Sequence, residues 1–276
     1  MPQSAILTSR RVLSVTGADR VDFLNGLVSN DVARAEPGRA VWAALLTPQG
    51  KYLADFFVFS AARALLVDCD AGQANLVATR LARFRLRADV QVAETPLGVA
   101  ATWSGPAPGA DLLASAEAAA PDPRLDEAGW RILSHQTPPA TATEAEYDAH
   151  RLSLGLPDGA RDMEPEKSVL LEAGFDELNG VSWTKGCYMG QELTARTRYR
   201  GLVKRRLLPV SADGVVPAPG ALIMTDGKEA GVMRSGIGSR GLALLRLEAI
   251  GQPLTADGVS LHVTIPGWVS LPAPSA

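Results

Sequence analysis

The chain reads as an α+β protein that ends in a small β-rich domain, and two observations predict this. Up to residue 134, apolar runs of strand length alternate with a few stretches of helical spacing. From Leu202 onward, short β-rich runs follow one another, with Gly or Pro roughly every ten residues. A domain boundary is therefore expected near residue 200.

The elements follow in order. Residues 5–16 alternate loosely and predict one strand. Gly17-Ala18-Asp19 starts a short helix, with Asp19 as its N-cap and Val21, Phe23, Leu24 and Leu27 as its apolar face. Ser29-Asn30-Asp31-Val32 ends it in polar caps. The apolar runs 40–46 and 52–59 flank Thr47-Pro48-Gln49-Gly50, a turn signature, and predict a β-hairpin. Residues 64–68 form a third strand, 72–84 an amphipathic helix through Leu76, Val77, Leu81 and Phe84, and 90–93 a fourth strand. This order suggests a helix lying on a mostly antiparallel sheet.

Residues 104–126 are rich in Pro and Ala and predict a short helix over 110–118 between loops, followed by a strand over 129–134. The helix over 143–154 has a Thr start, Glu144 and Glu146 in its first turn, and a Gly155…Pro157 stop. Residues 157–184 read mostly as loop, and a loop of that length inside a compact chain is usually functional. The runs 202–210, 221–225, 230–237, 241–247 and 259–265 predict a small β-barrel or sandwich.

Composition excludes several classes. The 276 residues are 46% hydrophobic and 21% charged, with a net charge of −3, so bulk electrostatics do not favour nucleic acid. Aromatic content is 5%, too low for a broad base-stacking surface. Cys69 and Cys187 are the two cysteines. They cannot build a disulfide framework, and a reducing cytosol is the expected home. No signal-peptide core precedes residue 16, and no run approaches the ~20 apolar residues of a membrane span.

The densest chemistry lies at Lys185-Gly186-Cys187-Tyr188-Met189-Gly190-Gln191-Glu192, followed by Leu193-Thr194-Ala195-Arg196. A thiolate is a nucleophile and a metal ligand, and Lys185 can stabilise one by charge. A helical turn opening at Gly190 would turn free N–H groups to the sulfur, and Glu192 would pair with Arg196 at i,i+4. Gly186 and Gly190 permit close approach or positive φ, and Gln191 offers a donor and an acceptor. Residues 185–206 hold seven Lys/Arg against one acid. That local +6 within a total of −3 leaves −9 elsewhere, a pattern suited to a small anionic ligand or an acidic partner surface. Cys69 sits between Asp68 and Asp70 at the end of a strand; two acids beside it would raise its pKa and leave it to pack or cap. His135, His150 and His262 lack metal-ligand spacing, so no zinc or other metal site is expected. Two cysteines cannot hold an iron–sulfur centre alone, because such centres normally take four ligands.

Lys-Gly-Cys-Tyr-x-Gly-Gln-Glu-x-x-x-Arg at 185–196, followed by Gly201, resembles the signature of the YgfZ-type folate-binding proteins. These are relatives of the glycine-cleavage T-protein (GcvT-like) that act in iron–sulfur protein maturation. The string from Leu178 to Val210 resembles in particular the mitochondrial branch of that family and its bacterial cousins. Phe23 to Val32, Leu46 to Lys51, and Tyr147 with Arg151-Leu152 and Gly155-Leu156-Pro157 resemble further family segments, so the likeness covers nearly the whole chain.

The resemblance implies a three-domain ring around a channel. Residues 1–200 would be the folate-binding region, as two interleaved α+β subdomains with 43–96 as an insert, and 201–276 a β-barrel. It implies tetrahydrofolate, or a derivative, as ligand. Lys185 or Arg196 would meet the anionic tail, and Asn25, Glu172, Tyr188, Gln191 and Glu192 would make other polar contacts. It implies a factor that assists assembly or repair of [4Fe-4S] clusters, with Cys187 as reactive thiol or transient ligand and Lys185 beside it. Scaffold or carrier proteins and [4Fe-4S] client enzymes would be its partners, with no specific nucleic acid and no membrane. A monomer is the default expectation, since a three-domain ring can fill its own interior. The T-proteins need a carboxylate near the start of the helix after the third strand. Ala74-Asn75 stands at the matching place here, with Asp68 and Asp70 nearby but out of register. A folate-dependent aminomethyl- or methyltransferase is therefore the alternative expectation, and an RNA-linked factor using 196–206 a third.

Overall fold

The single strand expected over 5–16 is two strands that belong to different sheets. In the computed structural model, which describes residues 2–271, β1 (Gln3–Ile6) ends before a corner at Leu7-Thr8-Ser9, and β2 (Arg10–Thr16) leaves it in a new direction. The corner is held by one carboxylate. Glu144 accepts from the backbone N–H and the hydroxyl of both Thr8 and Ser9. Alternation cannot register such a break, because both halves keep an apolar face.

Next come α1 (Arg20–Asn25), β3 (Val41–Leu46), β4 (Tyr52–Ala61), β5 (Ala64–Asp70), α2 (Ala74–Phe84) and β6 (Gln91–Glu94). Asp19 precedes α1 but does not cap it; its carboxylate accepts instead from the Asp89 N–H at 2.8 Å. The β3–β4 hairpin forms as expected, with Gly50 at φ +79° in its turn. β7 (Gly98–Trp103) lies outside the expected strands; apolar except for Thr102 and largely buried, it shows no alternation. α3 (Ala110–Ser115) stops short of 118, because β8 (Ala118–Pro121) begins there and pairs with β9 (Trp130–Ser134).

α4 (Glu144–Leu154) carries a full capping box between Thr143 and Glu146 and ends at Gly155 in the left-handed region. The expected loop 157–184 contains α5 (Gly159–Asp162) and a 3-10 turn at Leu170–Ala173. α6 (Gln191–Tyr199) opens at Gly190. β10 (Arg205–Ser211), β11 (Leu222–Thr225), β12 (Lys228–Ile237), β13 (Arg240–Arg246), β14 (Leu254–Ala256) and β15 (Val259–Val263) then close a barrel. That settles the choice between barrel and sandwich.

The strands thus make a five-stranded sheet ordered β3-β4-β5-β2-β6, a four-stranded sheet ordered β1-β7-β9-β8, and the six-stranded barrel, all antiparallel. The five-stranded sheet is covered on both faces. Val41, Ala43 and Leu45 of β3 pack with Leu24 of α1 and Val77 and Leu81 of α2. Trp42, Ala44 and Leu46 face the other way, into a core shared with Val99 and Leu133 of the four-stranded sheet and Leu152 of α4. Leu207, Leu242 and Leu244 of the barrel join that second core. The two sheets and the barrel therefore meet around one shared interior.

Candidate functional site

Two places carry chemistry: a cavity where the three units meet, and the exposed loop that holds Cys187.

The cavity has a volume of about 320 Å³ and takes its lining from both sheets, the helices and the barrel. β2 brings Arg10, β4 brings Asp55 and Phe57, and β5 brings Asp70. β9 brings Arg131, α4 brings Tyr147 and Arg151, α5 brings Arg161, and the barrel brings Ile237. Buried charges are tolerated only when paired, and here they are. Asp68, fully buried behind the wall, accepts from Arg10 at 2.7 Å and Arg131 at 2.8 Å. Asp122 takes Arg124 in a two-pronged pair at 2.7 and 2.9 Å. The Phe57 ring lies under the guanidinium of Arg131 at 3.8 Å and of Arg124 at 4.9 Å.

Asp55 is the odd member. Trp42 Nε1 donates to one of its oxygens at 2.8 Å and Tyr52 Oη to the other at 2.9 Å. Burial, followed by the nearby charge of Asp158, raises its pKa in spite of those two hydrogen bonds. Asp158 goes the other way: burial opposes its ionisation, but Arg151, Arg161 and Arg10 outweigh that and hold its carboxyl well below the usual range. Gly159 presses against the Asp55 carboxylate so closely that a Cβ there would overlap it. Arg131 Nε is buried and makes no hydrogen bond, but it forms an ion pair with the Asp122 carboxylate at 3.6 Å.

The Cys187 loop is built differently. Cys187 is exposed, whereas Cys69 is buried and its thiol is pushed up to about 12 by burial. Lys185 donates to the carbonyls of Asn25, Val28 and Asn30, at 2.5, 2.8 and 2.9 Å. Burial lowers its pKa to about 8. An ammonium has three hydrogens, so Lys185 is a clasp between its loop and residues 25–30, with no donor left for the thiol. Gly190 has φ +81°, and a Cβ there would stand 2.6 Å from the Thr47 carbonyl and 2.9 Å from Gly50 Cα. The close approach expected of this glycine is made to the β3–β4 turn. Gly186 has open space around it.

The other expected site residues divide among local roles. Tyr188 is buried, its ring 5.0 Å from Lys185 Nζ, and burial pushes its hydroxyl up to about 12. Gln191 accepts from the Tyr188 N–H at 3.3 Å. Asn25 accepts from the Val32 N–H. Glu172 pairs with Arg205 at 3.2 Å. Glu192 and Arg196 are both exposed, and the expected pair between them does not form among the described residues. None of Asn25, Glu172, Lys185, Cys187, Tyr188, Gln191, Glu192 and Arg196 lines the central cavity.

The basic run is partly neutralised. Arg198, Arg205 and Arg206 pair with Asp176, Glu172 and Glu177, and Arg198 also stacks on Trp183 at 4.1 Å. Arg196, Arg200 and Lys204 stay exposed without an ion pair among the described residues, beside the exposed Tyr199 and Leu202.

The sequence carries a signal for the charges of the cavity: Asp55, Asp68 and Arg131 each stand among apolar residues of a buried strand. A charge in the middle of such a strand must find a buried partner.

Residues 204–271 match the family model described as the CAF17 C-terminal β-barrel domain. Two mitochondrial iron–sulfur cluster assembly factors named IBA57 are similar along the chain. The human protein is 36% identical and the mouse protein 33%, each over 95% of this chain and 84% of its own length. A homologue from Mycosarcoma maydis is 31% identical over 92% of this chain and 76% of its own. Among solved structures, the glycine cleavage system aminomethyltransferase T from Bartonella henselae superposes with a TM-score of 0.76. It covers 97% of this chain and 86% of that one at 18% identity, a likeness of fold.

Proposed function

Because the chain belongs to the IBA57 family of iron–sulfur cluster assembly factors, a branch of the YgfZ/GcvT-like proteins, we propose that it assists assembly or repair of [4Fe-4S] clusters in client enzymes, with Cys187 as its working thiol. The observation that carries this reading is the pairing of an exposed cysteine with a rigidly held loop. The Lys185 clasp and the Gly190–Gly50 contact fix the backbone on either side of Cys187 and leave the sulfur accessible.

Cys187 supplies one thiolate. Among the described residues, no group of three or more His, Cys, Asp or Glu side chains is placed to hold a metal ion. The other ligands of a transient cluster come from a scaffold or carrier protein, a second copy or a small molecule. Arg196, Arg200 and Lys204, with Tyr199 and Leu202, suit an acidic partner with an apolar centre. A reducing compartment suits both free thiols.

The central cavity is the place for a folate-class ligand, and its donor set fits one. Phe57, Leu7 and Ile237 offer apolar surface to a flat ring, and Asp55 and Asp70 accept ring N–H groups. Arg161, half-exposed, can meet an anionic tail. The volume sits at the small end for a ligand pocket. A bound reduced folate would supply a one-carbon carrier; the chain's own residues here bind and orient.

The test is genetic and biochemical. In cells lacking the native copy, Cys187→Ser should fail to restore [4Fe-4S] enzyme activities although the protein accumulates normally. Restored activities would sink the proposal. A titration with tetrahydrofolate should show binding by wild type and by Cys187→Ser alike, and weaker binding by Arg161→Ala.

The second reading, a folate-dependent aminomethyl- or methyltransferase, has one observation in its favour: Asp70 lines the cavity. Against it, Ala74 and Asn75 open α2 with no carboxylate, and Asp68 is committed to two arginines. One-carbon turnover by the purified protein across a panel of amines would favour it.

A further inference from the structure

A continuous line of hydrogen bonds joins the central cavity to the loop of Cys187. It starts at Asp55, whose carboxylate lines the cavity and accepts from Trp42 Nε1 at 2.8 Å. The carbonyl of the same Trp42 accepts from Asn30 Nδ2 at 2.8 Å. The carbonyl of Asn30 accepts from Lys185 Nζ at 2.9 Å, and Lys185 stands two residues before Cys187. Trp42 is fully buried and Asn30 nearly so, so the first two links cannot exchange their partners for water without opening the core, while the last, at the half-buried Lys185, is one of three carbonyl contacts.

A second path runs beside the first. β4 carries Asp55 and Phe57 into the cavity, and the turn at its head packs Gly50 against Gly190, three residues after Cys187. The segment between the paths is zipped to β3: the Ser29 N–H donates to the Ala44 carbonyl, and Ser29 Oγ accepts from the Ala44 N–H. A close-packed strand fixed at both ends passes on a displacement rather than absorbing it.

We propose that occupancy of the central cavity sets the reactivity of Cys187, with Asn30 and Lys185 as the positioning residues that carry the coupling. This rests on the reading of the cavity as a folate-class site and of Cys187 as the working thiol. A ligand whose N–H groups engage Asp55 anchors the Asp55–Trp42–Asn30–Lys185 line and stiffens the loop at its far end. The thiol is then least mobile when the cavity is filled and most available when it empties. Bound folate would act here as a restraint that holds the thiol in reserve until the ligand leaves.

The experiment measures the rate of Cys187 alkylation by iodoacetamide at neutral pH, read by peptide mass spectrometry. It uses the full chain with and without saturating 5-formyltetrahydrofolate. Cys69 is buried and serves as the internal control: its labelling reports unfolding. The ligand should slow Cys187 alkylation about fivefold, the scale of a modest coupling. In Lys185→Met that ratio should fall to about one while 5-formyltetrahydrofolate still binds. Binding by wild type with an unchanged or faster alkylation rate overturns the proposal, and so does a ratio that persists in Lys185→Met.

Trp42→Phe and Asp55→Asn separate this failure from failure of the folate reading. Each breaks or alters the line at its cavity end, and each should change the ligand-free rate at Cys187 several-fold with Cys69 still protected. If 5-formyltetrahydrofolate does not bind but these variants shift the rate, the ligand class is wrong and the coupling stands. If neither variant shifts it, the coupling is wrong.

Discussion

Asp55 and Asp158 lie in one cavity and titrate in opposite directions, which gives the folded state a defined acid profile. Burial and the charge of Asp158 raise the Asp55 pKa, so the folded state holds that proton more tightly than the unfolded state. Stability from this group is therefore present at low pH and is lost as pH rises from the ordinary carboxylate value through the raised one. Asp158 and Asp122 have depressed values, set by arginine pairs that outweigh burial. Their contribution is present above the ordinary value and disappears as pH falls below it. Asp55→Asn should thus raise Tm at neutral pH, by a margin that shrinks as pH falls toward the carboxylate range. Thermal melts of both proteins from about pH 4 to pH 7 check this, and a margin that grows on acidification would refute it. Arg131 is a harsher position. It is buried, pairs with Asp68 and stacks on Phe57. Arg131→Met should cost about 3 kcal/mol in chemical denaturation, the lower end for a broken buried pair, because Arg10 still serves Asp68.

Gly190 and Gly50 show how one element supports another. Both have positive φ, and each Cβ position is already filled by the other loop. Gly190→Ala should therefore cost about 2–4 kcal/mol, combining left-handed backbone strain with forced displacement of the Thr47 carbonyl. It should also loosen the Cys187 loop, read as faster amide exchange at residues 186–189. The turn over 47–50 and the motif over 185–196 were each visible in the sequence, because turn chemistry and residue clustering are local. Their contact was not visible, because it joins residues about 140 apart in the chain. The same limit explains the rest of what went unread. Residues 5–16 keep their alternation through the Leu7–Ser9 corner, and what bends the chain there is the distant Glu144. β7 is buried on both sides and apolar except for Thr102, without a period to read. Lys185 looked like a partner for the thiol because it is near in sequence, and three carbonyls from residues 25–30 claimed it.

At the scale of the molecule, the barrel completes the cavity rather than trailing behind it. Ile237 of β12 lines the cavity, and Leu207, Leu242 and Leu244 belong to the shared core. The polar joint at this seam is a triad. Arg151 of α4 donates to Asp162 of α5 at 2.7 Å and to Ser235 of β12 at 2.9 Å, and Ser235 Oγ donates back to Asp162. Asp162 is nearly fully buried, so removing its cation leaves a charge that cannot reach water. Arg151→Met should destabilise the protein by about 3–5 kcal/mol, with amide exchange rising first in β12. It should also weaken the folate-class binding proposed above, because the same side chain lines the cavity wall. Adding Asp162→Asn removes the stranded charge, so the double variant should recover part of the stability but little of the binding. Chemical denaturation and a binding titration on the three proteins separate the two effects. A double variant no more stable than Arg151→Met would mean that the seam depends on the hydrogen-bond geometry of Arg151 and not on its charge.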